Sequence, residues 1–130
     1  MIERGKNPAI TRIGIEMTKS YRRKEEPMEY LTDMVTTVPE GTSPTKVDEL
    51  RAAEAVRAAE LAKAGHLIRL WRPPLGPGEW RSIGLFRAAD EVELREVLDS
   101  LPLHLWMKVN VTPLTTHPND PEFRARQATD

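Results

Sequence analysis

From Met28 to Val38 the chain is rich in Tyr, Thr, Val and Met, a composition that suits a strand, and Pro39-Glu40-Gly41 breaks it. Ser43-Pro44 then opens a helix, with Ser as N-cap and Pro in the first helical position. Apolar positions recur along one side at Val47, Leu50, Ala58 and Leu61 until Gly65, a residue suited to a left-handed cap. His66 to Arg72 reads as a second strand and Pro73 to Gly78 as a turn. Trp80 to Phe86 pairs back as a third strand. Asp90 caps a second helix, with Glu93 completing a capping box, and Val92, Leu94 and Leu98 give it an apolar side. After Leu101-Pro102, the residues Leu105, Met107, Val109 and Val111 alternate with His104, Trp106, Lys108 and Asn110, which predicts a fourth strand with two distinct faces.

The order β-α-β-β-α-β is the split βαβ arrangement of ferredoxin-like α+β domains. It predicts a four-stranded antiparallel sheet with both helices on one face, and an opposite face that needs water or a partner. This folded part spans residues 28–114. Residues 1–27 hold seven Lys/Arg and four Glu, a balance of +3, and few large apolar groups. Such a basic N-terminal extension buries too little surface to offset its ordering entropy, and is expected to be flexible or docked on a neighbour. Residues 115–130 lack an apolar period and read as a C-terminal tail.

Composition narrows the function classes. The 130 residues carry a net charge of −1, so no broad field draws the protein to nucleic acid or anionic lipid. The chain has no cysteine, which excludes disulfides, thiolate metal sites and cysteine nucleophiles. His66, His104 and His117 lack the short pair spacing of a zinc site. No stretch is long and apolar enough for a membrane span or a signal peptide. A metal-free, cytoplasmic, single-domain protein is the expectation.

One residue breaks the helical pattern. On the first helix Glu54 falls at about 340° from Val47, in the middle of the apolar stripe. A carboxylate aimed at a sheet loses water and must be paired or raise its pKa, and a raised pKa makes a competent base near neutral pH. Arg51, one turn earlier, is placed to pair with Glu54 or to hold an anionic ligand. A purely structural ion pair of Glu54 with Arg51, Arg57, Arg69 or Arg72 satisfies the same pattern. A second cluster brackets the turn: Trp71-Arg72 closes one strand and Trp80-Arg81 opens the next. Guanidinium groups beside large rings suit a small carboxylate, and equally suit packing at a sheet rim.

These residues carry a resemblance. The run Met28-Glu29-Tyr30-Leu31-Thr32-Asp33-Met34, then Pro39, Ser43-Pro44, Leu50-Arg51-Ala52-Ala53-Glu54, Gly65 and Leu70-Trp71-Arg72 resembles muconolactone Δ-isomerase. Leu101-Pro102-Leu103, Trp106-Met107 and His117-Pro118 continue it. The resemblance implies a dimeric α+β barrel type of ferredoxin-like domain, with dimers assembling into a larger ring. It implies a cofactor-free isomerase of aromatic-compound degradation that shifts a proton in a small unsaturated lactone bearing an acetate arm. Carried over position by position, the resemblance implies Glu54 as the catalytic acid/base, with Arg51 (where the family has Lys) and Arg72 holding a carboxylate or enolate; beside these, Trp71 and Trp80 are expected to wall the pocket and Arg81 to contact substrate. The chain departs from the family in its longer turn at Pro73 to Gly78, in Glu79-Trp80-Arg81 where a His-Tyr pair is usual, and in Trp106 where Tyr is usual.

Two other readings share this architecture. A halogenated lactone on the same base would lose hydrogen halide, making the protein a dehalogenating lyase. A non-catalytic ferredoxin-like sheet would bind a ligand or partner only. RNA binding by such a sheet needs an aromatic, Gly-rich run on the third strand, which Ser82-Ile83-Gly84-Leu85-Phe86 does not supply.

Overall fold

The computed structural model describes residues 26–123, so the expectation for residues 1–27, and for the last part of the tail, lies largely outside them. The elements run β1 (Met28–Thr36), α1 (Pro44–Lys63), β2 (Leu67–Trp71), β3 (Arg81–Ala88), α2 (Glu91–Asp99), a single 3-10 turn (His104–Trp106) and β4 (Met107–Leu114). The strands form one sheet in the order β2-β3-β1-β4, with every neighbouring pair antiparallel. This is the ferredoxin-like α+β fold that the element order predicts.

Local chemistry sets the helix boundaries. The Lys46 N–H donates to Ser43 Oγ at 3.1 Å, which caps α1 beside a proline that has no N–H to lose. At the other end Gly65 takes φ +88°, a conformation that penalises any side chain. The His66 N–H then reaches Leu61 O and the Gly65 N–H reaches Ala62 O, closing a Schellman cap. At α2 the Glu93 N–H donates to Asp90 Oδ1. The Glu93 carboxylate accepts from the Ala89 N–H, one residue before the cap residue that a capping box would use.

β1 is paired on both sides, so its alternation is locked. Tyr30, Thr32, Met34 and Thr36 point inward and are buried, whereas Leu31 and Val35 face out. Phe86, Leu61, Leu94 and Leu98 join Tyr30 and Met34 in the core. Of the residues of α1 only Leu61 is fully buried. Arg51, Glu54, Ala55 and Ala58 of the same helix border a cavity rather than a packed core.

One expectation is corrected. The fourth strand begins at Met107 and not at Leu105, which is 85% exposed. The His104 N–H bonds Leu101 O and the Trp106 N–H bonds Leu103 O, so the chain turns where the alternation predicted extension. In β2 the register shifts between Leu67 and Arg69. Leu70 therefore lies opposite inward Gly84, while Trp71 lies opposite outward Ile83.

Candidate active site

Glu54 projects from the inner side of α1 and is half-buried. The Leu103 N–H, in the connection after α2, donates to Glu54 Oε1 at 2.9 Å. Burial raises the Glu54 pKa above its ordinary value of 4.5, and the Leu103 hydrogen bond opposes that rise in part. No ion pair joins Glu54 to an arginine among the described residues, and three of its four candidate partners make other contacts. Arg51 stacks over the Trp80 ring at 5.4 Å, Arg69 stacks over Trp71 at 5.1 Å, and Arg57 binds Glu60 and Ser100. The structural reading of Glu54 as half of an ion pair therefore lacks its partner.

Between α1 and the sheet lies a cavity of about 240 Å³. Arg51, Glu54 and Ala58 line it from the helix, and Thr36, Ser82 and Phe86 from the sheet. Leu101 and Leu103 close one side, and Trp80 stands at the edge. Pockets for drug-sized ligands run about 300–1,000 Å³, so this one suits a smaller ring compound. A second, outer groove of about 740 Å³ runs along the Pro/Gly turn and shares Arg51, Trp80 and Ser82 with the cavity. Arg72 lines that groove. The Gly76 N–H donates to Glu79 Oε1 at 2.7 Å and folds the turn over it.

Arg51, Glu54 and Trp80 thus line the cavity, and Arg72 lines the neighbouring groove that shares Arg51 and Trp80 with it. The other two candidate residues do neither. Trp71 lies on the outer face of the sheet with Arg69, which corrects its expected place in the pocket wall. Arg81 also faces out, forming a two-pronged ion pair with Asp33 at 2.9 and 2.6 Å. That pair holds the Asp33 pKa below its ordinary value. His117 accepts a hydrogen bond from the Asn119 N–H and is exposed. Sequence reasoning missed Thr36 and the Leu103 N–H. Strand alternation carries a signal for the first, and nothing local carries one for the second.

Among the described residues no group of three or more His, Asp or Glu is placed to hold a metal ion. No described helix is long and apolar enough to cross a membrane.

Comparison with known proteins places the chain in a family. The sequence profile of muconolactone delta-isomerase matches residues 28–120. The chain is 33% identical over 92 residues to a muconolactone delta-isomerase of Cupriavidus pinatubonensis, covering 71% of this chain and 97% of that one. It is 32% identical over 83 residues to one of Rhodococcus opacus, covering 64% and 86%. A crystal structure of muconolactone isomerase superposes with a TM-score of 0.64 at 29% identity, over 72% of this chain and 95% of the other. With its fold, its helix and its sequence agreeing over nearly the whole length of these relatives, the chain belongs to the muconolactone delta-isomerase family.

Proposed function

We propose that this protein is a lactone isomerase that converts muconolactone to its enol-lactone, with Glu54 as the single base. The observation that carries the reading is a half-buried carboxylate, without an ion-pair partner among the described residues, opening into a ring-sized cavity beside a guanidinium. The substrate is a five-membered unsaturated lactone with an acetate arm. Glu54 takes the proton from the ring carbon that bears the arm, and the electron pair moves through the double bond onto the carbonyl oxygen. The dienolate then takes the same proton back at the carbon next to the carbonyl. No electron is gained or lost overall, so one base and a donor for the oxygen suffice. Arg51 and Arg72, both lining the outer groove, hold the carboxylate of the arm. Trp80, under Arg51, walls the ring in.

The test is turnover of muconolactone in deuterated solvent. Product formation with partial deuterium incorporation next to the carbonyl is the expected result. A folded protein that gives neither product nor exchange overturns the reading.

The pH profile follows from the direction of the Glu54 shift. Only the carboxylate form accepts a proton, so kcat falls as pH drops through a midpoint above 4.5. Stability moves the other way. A pKa raised on folding contributes stability that is complete below 4.5 and is lost as pH rises through the folded value. Acid inactivation at this limb is therefore expected without any loss of stability from Glu54. Profiles of kcat and of melting temperature over the same pH range check both signs.

Self-association is part of the same proposal. On the outer face Leu31 sits opposite Leu85, with Val35 and Ile83 nearby, between the ion pairs Arg87–Glu29 and Arg81–Asp33. Leu31 and Val35 are 36% and 41% exposed, and a second copy covering this band would remove that apolar surface from water. Sedimentation is expected to give a dimer or larger, and a lone protomer at micromolar concentration overturns this part.

A further inference from the structure

Thr36 ends β1 on its inner face and is only 8% exposed. Its backbone is satisfied, since its N–H donates to Trp80 O at 2.9 Å. Its hydroxyl has no hydrogen-bond partner among the described residues. Thr32, one inward position earlier, shows the ordinary solution: it is fully buried, and its hydroxyl donates to Gly84 O at 3.3 Å. The hydroxyl therefore gains no hydrogen bond from the described residues over a methyl group, and valine fits a strand at least as well as threonine. Packing alone gives no reason for a hydroxyl at this position.

Thr36 does border the cavity that holds Glu54. The carboxylate enters from the helix layer and the hydroxyl from the sheet layer, so a ring seated between them meets both. With Arg51 and Arg72 directed to the acetate arm, the oxygen that gains charge in the dienolate still needs a donor. Ser82 also lines the cavity, but it opens onto the outer groove as well. Thr36 is the more deeply buried hydroxyl of the two.

We infer that the Thr36 hydroxyl donates a hydrogen bond to the lactone carbonyl oxygen and stabilises the charge that develops there. This assignment rests on the isomerase reading and adds to it a catalytic residue and a preference for lactones over rings lacking that oxygen. No proton is transferred from Thr36; the O–H bond stays intact while its hydrogen bond strengthens.

The experiment compares the full-length protein with Thr36→Val and Thr36→Ser, using muconolactone as the probe and reading kcat, KM and melting temperature. Thr36→Val is expected to lower kcat roughly a hundred- to a thousandfold, with a melting temperature unchanged or raised. Thr36→Ser, which keeps the hydroxyl, is expected to retain most of kcat. Wild-type kcat in Thr36→Val, or a change in KM alone, overturns the assignment and leaves the isomerase reading intact. Equal losses of kcat and of melting temperature in both variants point to packing and overturn it as well. A wild-type protein inert toward muconolactone overturns the isomerase reading and this assignment with it.

Discussion

Glu54→Gln is expected to lower kcat on muconolactone by about 10²–10⁴-fold, the range for losing a positioned acid–base group. Glutamine keeps the volume, and its carbonyl oxygen still accepts from the Leu103 N–H, so the cavity retains its shape. What disappears is a group able to take a proton and return it. The amide is also neutral, which removes the penalty of holding a carboxylate partly out of water. The melting temperature at neutral pH should therefore stay level or rise while turnover collapses. Near-normal turnover would remove Glu54 from the chemistry, and a lowered melting temperature with little loss of rate would mark it as structural.

Phe86→Ala is expected to destabilise the domain by about 3–5 kcal/mol, as other buried aromatic truncations do. Phe86 is 1% exposed and sits on the inner face of β3, opposite Tyr30 on one side and Leu67 on the other. Its ring also crowds Gly84, where an added Cβ would come within 2.8 Å of Phe86 Cε1. The ring also borders the cavity, so its truncation would enlarge a space that is already open. Against a usual total stability of about 5–15 kcal/mol, this loss is a large share. Urea unfolding checks it: the midpoint should fall with little change in slope. A shift under about 1 kcal/mol would mean that the cavity collapses onto the gap.

The features that were legible in the sequence are those set within one or two turns of chain. The Ser43 and Asp90 caps, the Gly65 stop and the inward Glu54 each depend on neighbours a few residues away, and the helical period places them. Features that depend on pairing between distant strands were harder to read. Trp71 and Arg72 look like one cluster with Trp80 and Arg81, yet the bulge after Leu67 sends Trp71 to the outer face. Arg81 is drawn the same way by Asp33, 48 positions earlier. Leu105 kept the rhythm of a strand while local hydrogen bonds curled the chain around it. The Leu103 N–H is invisible to any side-chain pattern, since a backbone donor carries no residue signature.

That backbone donor has a consequence for how the protein fails. Glu54 lies on α1 and Leu103 in the connection after α2, 49 residues away, so one hydrogen bond joins two distant parts of an interleaved sheet. The base is aimed only while that connection stays in place. Local loosening there should therefore cost turnover before it costs helical signal, which makes activity the more sensitive gauge of this contact.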